Sequence, residues 1–462
     1  MRSQEKSQIL KTPSNLLIYS FIYGLILFSC SIVRHKLYQS NVYDLGLFDQ
    51  WLWLISNGYE PISSMAQTHV LADHAAWAIY LIAPFYKIFA SVNWLFFFQS
   101  FSLAFTSIPL WKLSTLKGLS KKNSWIIILL WWFQPVVFNI NLFDFHPEVI
   151  AMPILALSFL FISENRFYAW LISLILVIGF RDGLIIIVFG IALENLIRKK
   201  FKYALSAFLL SLNWLLFIKF FLFPYLGNFS SGESPTVSNL SRLLVFITQP
   251  INSFSKVDYL GGLIYLLLIS IAFIPFWKKN SFTTLLGITP LVLINFIAFS
   301  PPFRTLIHQY NLPIALIGSI SVIEGISKSR FFNLNFYRIF WIALCWFALA
   351  KPYFFLGPYL SRVDSISQIN KLIKNFSSNK SILTTSYIAP HLSHRKNIFY
   401  PRSNSGKKDI IKNIDIILLK PDDPGYDSST EIQEDIINLA KSRKWNCKEL
   451  EKNLNLCTNN KN

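Results

Sequence analysis

Charged side chains are scarce in this sequence. Asp, Glu, Lys and Arg make up 15% of its 462 residues, against roughly a quarter in a soluble domain. Together with 53% hydrophobic and 16% aromatic content, that scarcity excludes an ordinary soluble globule. Acid is the scarcer sign, 24 carboxylates against 43 Lys and Arg, for a formal net charge of +19. No basic stripe with aromatic stacking positions accompanies the excess, so nucleic acid is not the expected partner. Cysteine is nearly missing. Four residues (Cys30, Cys345, Cys447, Cys457) are too few for a dense disulfide scaffold or a Cys-rich zinc site. Cys30 and Cys345 fall inside apolar runs and read as small hydrophobes. There is no Walker A loop, dinucleotide-binding glycine fingerprint, His-Glu-x-x-His pair or Gly-x-Ser-x-Gly elbow, so neither an ATP-driven pump nor the corresponding hydrolases are indicated. Residues 227–232 read as a loop and not as a phosphate cradle.

Long hydrophobic runs are what the chain has in place of charge. About eleven are apolar enough to span a bilayer, roughly 14–33, 92–111, 124–140, 149–163, 168–180, 183–197, 203–223, 259–277, 281–299, 309–324 and 335–356. The N-terminus lacks a small-residue cleavage site, so the first run reads as a retained span and not a signal peptide. Residues 75–90 are apolar but broken by Pro84 and Lys87, and are expected to form a re-entrant or interfacial helix. That parity places the basic loops, with Lys112, Lys117, Lys121, Lys122, Arg198, Lys199, Lys200, Lys202, Lys278, Lys279, Lys328 and Arg330, on the cytoplasmic side. Most carboxylates then face outward. A full crossing at 75–90 would invert the pattern midway.

The expected class is therefore mainly α, a polytopic α-helical membrane protein. Residues 1–357 form the transmembrane domain, with a large first outer loop at 34–91 and a second at 224–258. Composition changes after residue 358. Strand-length runs at 382–384, 398–400 and 414–419, a helix-period stretch at 431–440 and a hairpin pattern at 445–457 predict a small α/β domain over 358–462, on the outer side. Cys447 and Cys457 fall at positions that suit the two strands of that hairpin; a disulfide and two free thiols both remain open.

The candidate chemistry lies in the outer segments. Tyr43-Asp44-Leu45-Gly46-Leu47-Phe48-Asp49-Gln50 opens an amphipathic run that continues to Gly58. Asp44 and Asp49 read either as helix-capping carboxylates or as functional ones. Asp73-His74 suits a base, a ligand or a phosphate contact, and equally a solvated loop pair. Asp144, His146 and Glu148 crowd a very short loop between two apolar runs, where carboxylates are costly unless paired or lining a polar cavity. Arg181-Asp182 interrupts the stretch 170–193; Arg181 either pairs with its neighbour or binds phosphate. Arg304 and His308 begin a late span, where a helix-end role is the plainer reading.

This ordered set, with Asn141-Leu142-Phe143 before Asp144, His308-Gln309-Tyr310 and Ala389-Pro390-His391-Leu392, resembles the motifs of an uncharacterised bacterial family of polytopic membrane proteins, a domain of unknown function, over about residues 35–425. Arg181-Asp182-Gly183 departs from the Lys/Arg-Glu-Asp run usual there. That family is similar in layout to the GT-C glycosyltransferases. Asp44 stands fourteen residues before Gly58, close to the place of the catalytic Asp in the lipid A aminoarabinose and protein mannosyl transferases. The resemblance implies an integral enzyme of the bacterial plasma membrane that moves a sugar from a polyprenyl-phosphate-linked donor to a cell-envelope acceptor. Asp44 or Asp49 would be the base, and Asp73, His74, Asp144, His146, Glu148, Arg181, Arg304 and His308 would bind substrate in one shared pocket. Whether a divalent cation takes part is left open. The rival expectation is a transporter or flippase for a lipid-linked or anionic envelope precursor. The ionisable groups gather at one surface and no inverted repeat is visible, which favours the enzyme.

Overall fold

The computed structural model describes residues 12–226, 248, 257–298, 300–329, 336–402 and 411–459. Most of the 224–258 segment, the loop at 227–232 and Arg330 lie outside the described residues. The chain divides into two compact units. One comprises Met1–Cys30, Leu71–Ala78 and Phe96–Pro352; the other comprises Ser31–Val70, Ile79–Leu95 and Tyr353–Asn462.

The first unit is helical throughout. Among the described residues, five helices are long and apolar enough to cross a bilayer: Ser14–Lys36, Asn93–Leu116, Lys121–Leu142, Phe201–Leu226 and Gln309–Ser327. Six shorter apolar helices accompany them, among them Pro147–Ser163 and Phe167–Phe180. Burial follows the sequence pattern. Leu312–Ser327 is apolar on every face and is buried along nearly its whole length, as a central bundle helix must be. Phe201–Leu226 is equally apolar but leaves Phe208, Leu212 and Leu216 exposed, a surface suited to a hydrocarbon solvent. Polar side chains tie the helices inside. Ser20 and Ser107 hydroxyls lie 2.7 Å apart, and Asn141 donates to the Leu27 carbonyl at 2.8 Å. Such pairings hold membrane helices together where apolar burial supplies no driving force. At Gly190 a side chain would strike the Gly287 carbonyl, whose oxygen would lie 1.9 Å from an added Cβ; the close approach there requires glycine at 190.

Several expected spans end early for local reasons. The run 259–277 is helical only over Tyr259–Ser270 and then turns ahead of Pro275. The run 335–356 ends at Leu349, and Pro352 and Pro358 carry short 3₁₀ turns because neither can donate within a helix. Residues 75–90 form two short pieces, a 3₁₀ turn at Trp77–Leu81 and a helix at Ala83–Ile88 with Pro84 in its first turn. Proline is tolerated at a helix start and not in its interior.

The second unit contains the seven described strands. β1 (Ile62–Ser63) and β2 (Thr68–His69) form a small antiparallel pair. β3 (Ile382–Thr384), β4 (Ile398–Phe399), β5 (Ile416–Leu419), β6 (Asn446–Leu450) and β7 (Leu454–Thr458) form a mixed sheet of order β4-β3-β5-β7-β6. β3 runs parallel to β4 and β5, whereas β7 is antiparallel to β5 and β6. The helix Thr430–Ser442, capped by the Ser429 side chain, lays Ile436, Ile437 and Ala440 on Leu383, Ile417 and Leu419 of the sheet. The hairpin expected at 445–457 is β6–β7, and it brings Cys447 opposite Cys457, where they form a disulfide. The helix Leu47–Ser56 and the β1–β2 pair belong to the same unit. Gln50 donates to the Ser64 hydroxyl and the Arg395 carbonyl, and Ser64 exchanges hydrogen bonds with the backbone of Ile398 in β4.

Candidate functional site

The expected site residues fall into two groups, one in each unit. In the first unit the centre is Arg181. The helix Phe167–Phe180 ends there in extended backbone, and a 3₁₀ turn, Asp182–Leu184, leads into Ile185–Ile197. The guanidinium does not pair with its neighbour Asp182. It donates to Glu148, at the start of Pro147–Ser163, and to Nε2 of His74 at 3.1 Å. Asp182 instead accepts from the Gly183 amide and stands 3.5 Å from Nδ1 of His74. Asp73 lies 3.5 Å from the same imidazole. Burial and the Arg181 charge oppose a proton on His74, but Asp73 and Asp182 outweigh them and lift its pKa above the usual imidazole value. Three motifs spread over more than a hundred residues thus converge on one buried cluster. An Arg–Glu pair this deep is costly to desolvate and is held only by good geometry.

This cluster caps a cavity. Arg181 and Glu148 form its polar end, and Leu184, Ile187, Leu291, Ile294 and Pro313 form apolar walls. The second oxygen of Glu148 and the side-chain oxygen of Gln309, both buried at this cavity, have no protein hydrogen-bond partner. Tyr310 closes the side, with the Arg181 guanidinium 5.6 Å from its ring centre, within cation–π range.

Asp144, His146 and His308 gather around Phe143. The Phe143 ring stacks on His146 with centroids 5.5 Å apart and meets His308 edge-on at 4.5 Å. Gln99 fixes the loop, donating to the Asp144 carbonyl at 2.6 Å and accepting from the His146 amide at 2.9 Å. Asp144 is held at φ 54°. Arg304 is engaged by the Asp258 carboxylate at 2.7 Å and by the Ala298 carbonyl.

In the second unit the two aspartates differ sharply. Asp49 is 1% exposed, and both its oxygens are engaged: it accepts from the Tyr86 hydroxyl at 2.6 Å and from the Ser393 hydroxyl, and meets Nε2 of His394 at 3.1 Å. Burial works against a proton on His394, yet the Asp49 carboxylate overrides it and raises the pKa. Asp49 organises its surroundings. Asp44 is only partly buried and sits at φ 64°, ψ −96°, a region that a non-glycine residue enters only under strain of about 1–3 kcal/mol. Tyr43 beside it meets Tyr400 and Tyr426 edge-on. Deeper in the unit, His391 stacks on His35 with centroids 4.0 Å apart.

Tyr86, Ser393 and His394 carried no signal in the sequence, since Ser393 lies 344 residues from Asp49 and no local pattern joins them. Among the described residues no group of three or more His, Cys, Asp or Glu side chains is arranged to hold a metal ion.

No curated protein matches the chain. Solved structures do. ArnT from Cupriavidus metallidurans, crystallised bound to undecaprenyl phosphate, is similar with a TM-score of 0.54 at 9% identity, over 96% of this chain and 98% of its own. The apo form of that protein is similar with a TM-score of 0.54 at 8% identity, over 94% and 97%. At such identities the likeness is one of fold: mainly α, polytopic, with a small mixed α/β region near the C-terminus. With its sequence matched over residues 34–456, this chain belongs to the predicted membrane protein family DUF2079.

Proposed function

We propose that this chain is an integral membrane glycosyltransferase of the GT-C type, transferring a sugar from a polyprenyl-phosphate-linked donor to a cell-envelope acceptor on the outer face of the bacterial plasma membrane. The observation that carries the reading is the cavity with Arg181 at its polar end and Leu184, Ile187, Leu291, Ile294 and Pro313 along its walls, a juxtaposition that suits a phosphate carried on a prenyl chain. The bound lipid of the similar ArnT structure belongs to the same chemical class. Eleven spans, residues 1–357 as the membrane domain, and 358–462 with the 34–91 loop on the outer side complete the proposed topology.

Transfer needs a base for the acceptor hydroxyl and cations for the leaving phosphate. Asp44 is the base: it is accessible, strained and separate from the saturated Asp49. As it takes the acceptor proton, the acceptor oxygen attacks the anomeric carbon and the bond from that carbon to the phosphate oxygen breaks. Arg181 has five N–H donors, two of them engaged by Glu148 and His74, so three remain for the departing phosphate. His74 accepts from Arg181 through Nε2 and so orients the guanidinium. Glu148 holds Arg181, and Asp73 and Asp182 hold His74. Asp144, His146 and His308 shape the adjoining wall.

Arg181→Lys keeps the charge opposite Glu148 but loses the paired donors. Titrating undecaprenyl phosphate into the purified protein under native mass spectrometry should show binding weakened on the order of tenfold in that variant. Wild-type affinity in the variant would remove Arg181 from the phosphate site.

A further inference from the structure

In the second unit, Tyr426 stands on a loop braced by four side-chain contacts, yet the residue is 58% exposed. Arg362 donates twice to the Asp423 carboxylate, at 2.6 and 3.1 Å. The Thr430 hydroxyl donates to the Pro421 carbonyl at 2.7 Å, and the Gln433 amide to the Pro424 carbonyl at 2.8 Å. The backbone N–H of Tyr426 donates to the Ser386 hydroxyl at 2.8 Å. Gly425 before it sits at φ 75°, and a Cβ there would lie 2.4 Å from that same hydroxyl oxygen, so the close approach requires glycine. Ordering a loop costs chain entropy, and an exposed ring returns little of it through burial. The value of such a ring lies in what it presents to a ligand.

The Tyr426 ring stands at 84° to that of Tyr43, with centroids 5.4 Å apart. Tyr43 directly precedes Asp44. Partial burial, and then Tyr43, Asp427 and Asp44, raise the pKa of the Tyr426 phenol, so both carboxylates lie within electrostatic reach of it. The Arg402 guanidinium is 5.8 Å from the Tyr43 ring centre and 4.8 Å from that of Tyr400, and it donates to the Met65 carbonyl. Two perpendicular rings therefore form a corner beside carboxylates, with a cation already fixed on one of them. A pyranose fits that chemistry. Its axial C–H bonds carry partial positive charge and pack on the negative face of an aromatic ring, while its hydroxyls donate to carboxylates. An ammonium also seeks ring faces, but here it meets the like charge of Arg402. A serine or threonine hydroxyl uses a carboxylate and leaves the Tyr426 ring uncovered.

We infer that this corner is the acceptor subsite and that the acceptor is itself a carbohydrate, a pyranose that lies on Tyr426 and turns one hydroxyl toward Asp44. The inference rests on the transferase reading above and adds the class of acceptor. The bond formed is then glycosidic, between that hydroxyl oxygen and the anomeric carbon of the donor sugar. The hydroxyl proton goes to Asp44, and polyprenyl phosphate leaves with the electron pair of the broken bond.

The test is saturation-transfer difference NMR on the purified full chain with the methyl glycosides of glucose, galactose and mannose, and with choline and N-acetylserine amide as the other classes. At least one glycoside should receive saturation at its ring C–H protons. Tyr426→Ala should weaken that binding by about fivefold, the scale of one ring contact, and Tyr426→Phe, which keeps the ring, should restore it. Undecaprenyl phosphate binding, followed on the same samples by native mass spectrometry, should be equal in all three proteins and so report that the variants are folded. Undecaprenyl phosphate bound with no response from any glycoside would overturn the acceptor subsite and leave the transferase reading standing. A glycoside response that depends on Tyr426, without undecaprenyl phosphate binding, would support the subsite and remove the donor. Saturation of choline or of the serine amide in place of the glycosides, or a glycoside response unmoved in Tyr426→Ala, would overturn the assignment to a carbohydrate at this corner.

Discussion

At the scale of single residues, burial and backbone geometry separate groups that sequence spacing leaves equivalent. Asp44 and Asp49 stand five apart in one motif. One is partly open on a strained backbone, and the other is saturated by Tyr86, Ser393 and His394. His391 gives the residue-scale prediction. Burial pushes its pKa down to about 4, despite smaller opposing effects from His35 and Asp49. In the unfolded chain it titrates near 6.5. The folded state thus refuses a proton that the unfolded state accepts, so its contribution to stability is intact above about pH 6.5 and is lost as pH falls toward 4. Melting temperatures of the purified protein should drop across that interval, and His391→Gln should flatten the drop. An unchanged slope in the variant would show that His391 is not the group responsible. The motif residues were legible because ionisable groups beside apolar runs are conspicuous. Their partners were not, because pairings such as Arg181 with Glu148 depend on how helices pack.

At the scale of elements, regularity decided what could be read. The strands at 382–384, 398–399 and 416–419 and the helix at 430–442 follow from apolar runs of strand length and a helical period. The ends of the spans were harder to read, because hydropathy continues through turns such as those after Ser270 and Leu349. The β6–β7 hairpin was legible in pattern, but the pairing of its cysteines was not, since sequence alone does not set register. Register places Cys447 directly opposite Cys457, and the disulfide closes a loop with a sequence separation of 10. On the chain-entropy model so short a loop contributes about 2–3 kcal/mol. Thiol counting on denatured, unreduced protein should find only Cys30 and Cys345 free; four reactive thiols would contradict the bridge.

At the scale of the whole molecule, the distribution of charge is the evidence for orientation. Lysine and arginine cluster in the loops at 112–122 and 198–202, and the acidic motifs cluster in the others, the asymmetry that sets membrane topology. In intact cells, an impermeant maleimide should label cysteines introduced at Asn57 and Asn379 and spare one at Lys121, three exposed positions. Labelling at Lys121 with none at Asn379 would invert the proposed topology and take the outer-face acceptor with it. The membrane class was legible from composition and hydropathy. Which motifs meet was not, because contacts between distant helices leave no trace in composition.

The central claim is catalytic, and turnover tests it most directly. Purified protein in liposomes, supplied with a polyprenyl-phosphate-linked sugar and a lipid-anchored envelope glycan, should release polyprenyl phosphate and add labelled sugar to the acceptor. Asp44→Asn, nearly unchanged in volume, should slow that transfer by about 10²–10⁴, the usual cost of losing a general base, while Asp49→Asn should show its effect first in the stability of the fold. Turnover by Asp44→Asn at the wild-type rate, or donor left intact by a folded wild-type protein that binds it, would contradict the account.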